Sequence, residues 1–552
     1  MKIALAQLYY HTGNFELNIS KIKNNILRAR SEGADLVVFA ELAVCRYPPR
    51  DFLEFNEFIE LSLEAVNEIA DACVGIAAII GSPSINPHLQ GKNLYNSAYF
   101  LEGGEVKNIC HKALLPNYDI FDEYRYFEPG RKFETITYKG HRIALTICED
   151  LWNVDDDPLY PISPMNMYIG QNPDVIINIG ASPFSFGHPE EREAVLCKNA
   201  SKYKIPVFYV NHIGAQTELL FDGGSMVVNP QGFVVDELNY FAEDFRIYEL
   251  EKVISDGRMP EKDFTKLAFT HEEKMHRIHE ALVMGIKYYF LKLGFEKAVI
   301  GLSGGIDSAL VLVLTVRALG SENVRAILMP SEFSTSHSVD DAVQLAENLG
   351  VEYTIIPIKE VYHTYNNLLQ PFFEGRPFDV TEENIQARIR GMILMALSNK
   401  LNYILLNTSN KSEIAVGYGT LYGDMCGGLS VIGDLYKTEV FQLSEFVNKE
   451  KEIIPNHTMT KPPSAELRPG QLDADSLPDY NLLDKVLFEY IEKRKGLHEI
   501  LGMGYDELTV RRILKLVNLN EYKRAQTPPI LRISSKAFGM GRRMPIVAKY
   551  LI

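Results

Sequence analysis

The chain has 552 residues and a formal net charge of −16, with 46% hydrophobic and 23% charged residues. These proportions are ordinary for globular proteins and exclude disordered and fibrous classes, and the length predicts two large domains or several smaller ones. The negative charge would repel a phosphate backbone, so we expect no nucleic-acid partner, although a local basic pocket for a small anionic ligand is compatible with it.

The cysteines indicate a reducing compartment. The six cysteines are scattered without C-x-x-C spacing, which argues against a zinc site and against a disulfide framework in so long a chain. No run of about eighteen apolar residues occurs, so we expect no membrane span. The sequence therefore predicts a soluble cytoplasmic protein.

Short β-rich runs alternate with amphipathic helices through the first half, a rhythm typical of α/β proteins. The predicted strands are 3–6, 36–39, 76–81, 142–147, 175–179, 207–210 and 225–228, and the predicted helices are 18–31 and 55–73. Charged composition then predicts a linker at 251–275, between domains at 1–250 and 276–552.

The second half begins with a predicted helix at 276–293 and a strand at 298–302, and continues as a βαβ series to a strand at 353–358. Such a series predicts a parallel sheet that binds ligands at the carboxyl ends of its strands. The glycine-rich segment 417–433 and the polar segment 461–478 are long for loops in a compact domain, so we expect them to border an active site.

A phosphate loop follows the strand at 298–302, with the sequence Ser-Gly-Gly-Ile-Asp-Ser at 303–308. Small residues at a strand-to-helix turn let backbone N–H groups approach an anion, and the helix dipole adds fractional positive charge. Asp307 and Ser308 stand where the Walker loop ends in Lys-Ser/Thr. The loop therefore suits a bound pyrophosphate, and its sequence argues against transfer of a γ-phosphoryl group. The loop resembles that of enzymes that cleave ATP to AMP and pyrophosphate.

In the first half, Glu41, Lys112 and Cys148 each lie in a short segment next to an apolar strand. In this order they resemble the triad of the nitrilase, or carbon–nitrogen hydrolase, family, which implies an α-β-β-α sandwich. The flanking motifs that carry the resemblance are Phe39-Ala40-Glu41-Leu42, His111-Lys112 and Ile147-Cys148-Glu149-Asp150-Leu151-Trp152. The chemistry needs a base, Glu41, to take the thiol proton of Cys148, and a cation, Lys112, to favour the oxyanion.

The same resemblance extends to substrate contacts. Glu123 is a second carboxylate of the kind these sites often hold, and it either orients the substrate or covers a helix surface. Similarity to glutamine-using members implies that Tyr118, Phe121 and Ser182 bind glutamine. His188 stands near where relatives carry lysine or arginine after that serine, and we include it as a candidate glutamine ligand.

The second half resembles the NAD synthetase family over nearly all of 276–552. The motifs are Glu383 to Arg390, Asn407 to Glu413, Gly433 to Lys437 and Lys461 to Leu467. The resemblance implies a Rossmann-like doubly wound parallel sheet with ATP and Mg²⁺ bound, Mg²⁺ on Asp307 and Glu413. It assigns ATP to Gly301, Leu302, Ser303, Gly304, Gly305, Ile306, Asp307, Ser308 and Thr408, and deamido-NAD to Asn384, Glu413 and Lys523.

Together the two resemblances imply a homo-oligomeric amidotransferase. Its substrates would be glutamine, ATP and deamido-NAD, and its products NAD, glutamate, AMP and pyrophosphate, by way of a thioester and an NAD-adenylate. Two other interpretations stay open. The first is another ATP-pyrophosphatase amidotransferase or an RNA-thiolating enzyme, although the acidic net charge disfavours an enzyme that acts on RNA. The second is a plain amidase whose second half senses a nucleotide.

Overall fold

The computed structural model describes residues 1–155, 158–260 and 269–550. By its internal contacts the chain divides into two units, Met1–Ala268 and Phe269–Ile552. Residues 261–268 of the expected linker lie outside the described residues. In the part of the chain that is described, no helix combines the length and apolar character needed to cross a bilayer.

The first unit contains strands and helices in alternation. Its strands are β1 (Lys2–Gln7), β2 (Leu36–Val38), β3 (Ala77–Ile85), β4 (Leu94–Glu102), β5 (Glu105–His111), β6 (Ile136–Tyr138), β7 (His141–Ile147), β8 (Val175–Ile179), β9 (Val207–Val210), β10 (Ile213–Gln216), β11 (Leu219–Asp222), β12 (Met226–Val228), β13 (Val234–Glu237) and β14 (Asp244–Glu249). Its helices are α1 (Phe15–Ser31), α2 (Asn56–Ala70), α3 (Pro164–Tyr168), α4 (His188–Tyr203) and α5 (Leu250–Ser255).

Two sheets form the centre of this unit, with strand orders β14-β1-β2-β3-β4-β5 and β13-β12-β9-β8-β7-β6. Helices α1 and α2 pack on the first sheet, and α3 and α4 pack on the second. The inner faces of the sheets meet in one apolar core. This arrangement confirms the predicted α-β-β-α sandwich.

Strand β7 shows how the sequence builds these layers. Ile143, Leu145 and Ile147 point into the core between the sheets, whereas Ala144 packs with Val195 of α4. Because side chains alternate across a strand, residues one apart belong to different layers. Every residue from Ile143 to Ile147 is therefore buried, and the strand ends at a fixed point inside the domain.

The second unit has a parallel sheet and more helix. Its strands are β15 (Ala298–Gly301), β16 (Val324–Leu328), β17 (Glu352–Ile355), β18 (Ile404–Asn407) and β19 (Leu429–Ser430). Its helices are α6 (His271–Leu293), α7 (Ile306–Leu319), α8 (Ser336–Leu349), α9 (Lys359–Leu369), α10 (Val380–Leu401), α11 (Lys411–Val416), α12 (Lys437–Val447), α13 (Asn456–Thr460), α14 (Tyr480–Ile491), α15 (Leu497–Leu501), α16 (Glu507–Leu519) and α17 (Glu521–Arg524).

The sheet of the second unit has the order β17-β16-β15-β18-β19, and its neighbouring strands pair in parallel. The chain order reverses between β15 and β18, which confirms the predicted doubly wound topology. At such a reversal the loops after the two strands diverge and leave a crevice at the carboxyl edge. The loop after β15 is the predicted phosphate loop.

A separate helical core supports one wall of that crevice. Helices α11, α14 and α16 pack together around buried side chains that include Ile414, Leu487 and Ile513. Helix α11 has only six residues, too few to be stable alone, so its position depends on this packing. The residues that precede and open α11 are thereby held beside the end of β18.

Candidate active sites

Cys148 lies directly after β7, in a strained turn. It has a φ of +43°, a region that non-glycine residues rarely adopt, and it is buried at 8% exposure. Asp150 holds the turn, since its carboxylate accepts the N–H groups of Ala113 and Leu114 at 2.9 Å each and that of Ile147 at 3.0 Å. The nucleophile turn is thus tied to the segment that follows β5.

A buried cluster of charges brings together three predicted catalytic residues. The Lys112 ammonium donates to Glu41 Oε1 at 2.7 Å and to Glu123 Oε1 at 2.8 Å. Asn96 Nδ2 also donates to Glu41 Oε1 at 2.7 Å, and the Tyr47 hydroxyl donates to Glu123 at 3.0 Å. Glu123 is therefore part of the cluster, and is not a residue that covers a helix surface.

The cluster sets the protonation states of its members. Burial disfavours the Lys112 charge, but Glu123 and Glu41 outweigh it and hold the pKa of Lys112 well above its usual value. Burial raises the pKa of Glu123 to about 7, against the attraction of Lys112. Burial and the Glu41 charge raise the pKa of Cys148 well above its usual value, so the resting side chain is a thiol. Glu41 Oε2 is buried and has no hydrogen-bond partner among the described residues.

Another buried carboxylate, that of Glu149, directly follows the nucleophile in sequence. Glu149 Oε1 accepts from the Tyr118 hydroxyl at 3.0 Å and from the Tyr160 hydroxyl at 2.9 Å. Phe121 lies against Tyr118, with ring centroids 5.4 Å apart and an interplanar angle of 72°. Burial raises the pKa of Glu149, against the charge of Lys112 and the two hydroxyls. The predicted residues Tyr118 and Phe121 thus lie against each other, and Tyr118 is hydrogen-bonded to Glu149.

The other two predicted glutamine contacts lie together. Ser182 Oγ is 2.8 Å from His188 Nε2, and His188 Nδ1 is 3.2 Å from Glu191. The His188 ring stacks on Trp152 at 5.1 Å, with an interplanar angle of 4°. Because Trp152 follows the Cys148 turn, the Ser182–His188 pair is linked to the nucleophile segment.

The phosphate loop of the second unit requires glycine at one position. Gly304 has a φ of +81°, and a Cβ there would lie 2.1 Å from the backbone oxygen of Ser338. Ser303 Oγ accepts the Gly305 N–H at 3.2 Å and lies 3.1 Å from Ser308 Oγ. These contacts close the loop against α8 and direct it into the first turn of α7.

The loop borders a cavity of about 320 Å³. The predicted residues that line it are Gly301, Leu302, Ser303, Gly305, Ile306, Asp307, Ser308, Thr408 and Glu413, and Gly304 is not among the lining residues. Arg390, Lys437 and Lys461 also line it. Parts of the two predicted loops, including Asp424 and Glu466, complete the wall. A concave site of this size with converging cations suits a nucleotide.

Two carboxylates and one ammonium meet beside the loop. Lys437 Nζ lies 2.5 Å from Asp307 Oδ2 and 3.5 Å from Glu413 Oε1, and Asn410 donates to Asp307 Oδ1 at 2.9 Å. Burial, followed by the charge of Asp307, raises the pKa of Glu413 to about 8, against the attraction of Lys437. The same two carboxylates overcome burial and raise the pKa of Lys437.

The remaining predicted dinucleotide contacts, Asn384 and Lys523, do not line this cavity. Asn384 Oδ1 accepts from the Thr420 hydroxyl at 2.6 Å, and Lys523 donates to the carbonyl oxygens of Gly417 and Gly419 at 2.8 Å each. Both therefore contact the segment 417–420. Glu413, the third predicted contact, lies at the cavity.

Several residues that shape the sites carry no sequence signal of their own. Asn96 lies in a strand without a motif, and Tyr47 is one aromatic residue among many. Asn410 lies within the motif Asn407 to Glu413, but its contact with Asp307 joins positions 103 residues apart. Pairs of this kind are found only when the chain is folded.

Comparisons with known proteins agree with this geometry. Residues 2–256 match the family described as carbon-nitrogen hydrolase, and residues 278–527 match the family described as NAD synthase. A relative from Synechocystis sp. described as a glutamine-dependent NAD(+) synthetase is 44% identical over 99% of each chain. One from Thermotoga maritima with the same description is 39% identical over 100% of this chain and 99% of its own.

A solved structure agrees over the whole chain as well. The glutamine-dependent NAD+ synthetase from Acinetobacter baumannii, in complex with adenosine diphosphate, has a TM-score of 0.76 and 36% identity, and the match covers 99% of this chain and 98% of that one. Another from Cytophaga hutchinsonii has a TM-score of 0.81 at 20% identity, covering 99% and 98%, and supports the fold. The identities over nearly full length show that the chain belongs to the family of glutamine-dependent NAD(+) synthetases.

Proposed function

We propose that the first unit releases ammonia from glutamine and that the second unit uses it, with ATP, to convert deamido-NAD to NAD. The observation that carries this proposal is a buried Glu41–Lys112–Cys148 site and a phosphate-loop cavity in one chain of this family. The ATP-dependent amidation of deamido-NAD with glutamine as donor is the activity of the family.

Glutamine cleavage begins at the Cys148 thiol. Since its pKa is raised by burial, the proton must leave as the sulfur attacks the carboxamide carbon, and the unpartnered Glu41 Oε2 is the acceptor. The oxyanion forms near the Lys112 ammonium and the backbone N–H of Glu149. Glu41 passes the proton to the amide nitrogen as the intermediate collapses, so that the C–N bond breaks, a thioester forms and ammonia leaves. Water then attacks the thioester, which frees glutamate and restores the thiol.

Glutamine would be held through its amino-acid end. The buried Glu149 carboxylate, next to Cys148, suits the α-ammonium group, with Tyr118 and Phe121 beside it. Ser182 and His188 offer hydrogen-bond donors that suit the α-carboxylate. Glutamine would then extend its carboxamide toward Cys148.

In the second unit, the loop from Gly301 to Ser308 would bind the ATP phosphates through its backbone N–H groups, with Thr408 as a further contact. Attack of the nicotinate carboxylate of deamido-NAD on the α-phosphorus forms the NAD-adenylate and releases pyrophosphate. Ammonia then attacks the acyl carbon, and AMP leaves. Lys437, beside Asp307, would offset negative charge during adenylyl transfer.

Asp307 and Glu413 fit a magnesium ion. Both are carboxylates, the oxygen donors that Mg²⁺ takes together with phosphates. Burial, followed by the charge of Asp307, raises the pKa of Glu413, and a bound cation would oppose this rise. In the described residues no group of three or more metal-binding side chains forms a complete site, so phosphate oxygens and water would supply the other ligands. When bound, the ion would neutralise phosphate charge.

Deamido-NAD would contact Asn384, Glu413 and Lys523. Asn384 and Lys523 contact the segment 417–420. This segment includes Tyr418, which lines the cavity. We propose that this segment guides the dinucleotide toward the phosphate loop.

The assay supplies ATP and deamido-NAD with either glutamine or ammonium and measures NAD and AMP. If neither nitrogen source yields NAD, the proposal is wrong, and glutamine loss without AMP would favour the plain amidase. Cys148→Ala should abolish synthesis from glutamine and leave synthesis from ammonium intact. Cys197→Ala, at a buried thiol of α4 that packs in the core, is the matched control and should retain both. Equal loss of both activities in Cys148→Ala would contradict the division of labour.

We also propose that the protein is a homo-oligomer that uses an apolar surface of the second unit. Large side chains are exposed on and after α9, with Leu368 65%, Phe372 75%, Phe378 50% and Val380 61% exposed, and Met392 of α10 is 68% exposed. Exposed large apolar side chains of this kind can mark an interface between copies. Light scattering should give a mass above 62.5 kDa, and Phe372→Glu should lower it, whereas a monomeric parent would contradict this.

A further inference from the structure

One asparagine contacts all three residues of the charged glutaminase cluster, two of them at their carboxylates and the third at its main chain. Asn96 lies on β4 and is 1% exposed. Its side-chain Nδ2 donates to Glu41 Oε1 at 2.7 Å and to Glu123 Oε2 at 3.3 Å. Its backbone oxygen accepts the Lys112 N–H at 2.8 Å. The side chain therefore holds both carboxylates, while the main chain holds the residue that carries the ammonium.

The contacts determine the orientation of the amide. If the Asn96 side chain were turned over, Oδ1 would face two carboxylate oxygens, which repel it. In the observed orientation Oδ1 is buried without a hydrogen-bond partner among the described residues. An unsatisfied buried acceptor is unfavourable, so stability alone does not explain an asparagine here. The donor function of Nδ2 gives a reason for it.

The same contacts make the two oxygens of Glu41 different. Oε1 accepts from Lys112 and from Asn96, both at 2.7 Å, whereas Oε2 has no partner in the part of the chain described. Two donors on one oxygen resist rotation of the carboxylate about its terminal torsion, which is otherwise broad. With one donor removed, rotation could bring Oε2 to Lys112 and leave the base satisfied.

We propose that Asn96 is a positioning residue for the glutaminase reaction, which keeps Oε2 of Glu41 free to take the thiol proton. Asn96 acts through Glu41 and does not itself contact the reacting atoms. This proposal rests on the proposed function, in which Glu41 is the general base. Besides the Glu-Lys-Cys triad, the reaction then requires a neutral hydrogen-bond donor on β4 that contacts the carboxylates of both Glu41 and Glu123.

The test compares Asn96→Leu and Asn96→Ala with the parent. Leucine keeps approximately the size of the side chain, alanine shortens it, and both remove the neutral donor without adding a charge. We expect kcat for glutamine hydrolysis to fall about 10- to 100-fold, less than the ~10²–10⁴-fold that a general base contributes, because Glu41 itself remains, with KM for glutamine changed less than about threefold. Alkylation of Cys148 by iodoacetamide should slow in parallel, since it also needs the thiol proton removed.

The pH profile separates positioning from packing. A hydrogen bond to an ionised base favours its ionised form, so the ascending limb of kcat/KM should move to higher pH in Asn96→Leu. Ser97→Ala is the matched control, because Ser97 is buried on the same strand but bonds Ser84 and His111. It should keep kcat within about threefold and leave the limb in place.

The outcomes distinguish this proposal from the one on which it rests. If the parent hydrolyses glutamine and a folded Asn96 variant keeps kcat and an unshifted profile, the positioning role is wrong while the proposed function stands. An equal loss in Ser97→Ala would also overturn it, since the effect would then be general to the strand. If Asn96→Leu does not fold, as judged by its melting temperature, Asn96→Ala decides, since it removes the donor and adds no bulk or charge beside Glu41 and Glu123. A parent without glutaminase activity refutes the proposed function itself.

Discussion

Replacing Gly304 by alanine should disable the synthetase unit and spare the glutaminase unit. The residue has a φ of +81°, and the new Cβ would lie 2.1 Å from the Ser338 backbone oxygen, where real Cβ contacts stay beyond 3.0 Å. The left-handed conformation costs an alanine about 1 kcal/mol. Relieving the overlap requires the loop and α8 to separate by about 1 Å, at a further cost of about 1–3 kcal/mol.

The loss of activity should exceed the loss of stability. A displacement of about 1 Å in a substrate-positioning element can cost ~10²-fold in rate, so we expect synthesis of NAD from ammonium and ATP to fall by about that factor. Ammonium is used so that the first unit has no part in the measurement. Glutamine hydrolysis by the same variant should stay close to that of the parent.

Gly305→Ala is the matched control. A Cβ at Gly305 would meet only Ser303 Oγ, at 3.3 Å, and the residue has a φ of −81°, which alanine adopts readily. Its melting temperature should therefore stay close to that of the parent, because no backbone must move. If Gly304→Ala keeps the rate within twofold and the melting temperature of the parent, the argument from this contact is refuted.

Two further predictions concern buried charges. Because burial raises the pKa of Glu123 to about 7 from 4.5, the folded state binds its proton more tightly than the unfolded state, so the parent loses stability as pH rises from about 4.5 through 7. Glu123→Gln does not titrate at this position, so the difference between its melting temperature and that of the parent should shift in favour of the variant as pH rises from about 5 to 8. A difference that does not change with pH would contradict this prediction. Lys411 is fully buried between Asp434 and Glu492. In a urea titration, Lys411→Met should lower the free energy of unfolding by about 3–5 kcal/mol, since two buried carboxylates lose their cation. Lys449→Met, at an exposed ion pair, should lower it by ~1 kcal/mol or less, and equal losses in the two variants would refute the argument.

Sequence patterns predicted the elements well where strands are buried on both faces. Strands β8 and β9 occupy the predicted ranges 175–179 and 207–210, because a continuous apolar run bounded by turn residues leaves few choices. The strand expected at 353–358 ends at Ile355. Its partner β16 ends at Leu328, which pairs with Ile355, so the partner sets the boundary. Local propensity does not contain that information.

Strands β4 and β5 were not predicted, although they place much of the glutaminase cluster. The register Pro83↔Asn96 between β3 and β4 puts the amide of Asn96 beside Glu41, which is 55 residues away in sequence. The sequence singled out Glu41 and Lys112 by their resemblance to a family motif. Only the sheet order, with β3 and β4 between β2 and β5, brings Lys112 within hydrogen-bond distance of Glu41.

The sequence by itself determined the chemistry that is local along the chain. The phosphate loop is six consecutive residues between a strand and a helix, so its glycines and its helix dipole could be read directly. Tertiary structure decided how charges combine: which oxygen of Glu41 is left without a donor, and that Asp307, Asn410 and Lys437 meet. The physical reason is that electrostatic coupling depends on distance and burial, and both are set by packing between segments far apart in sequence.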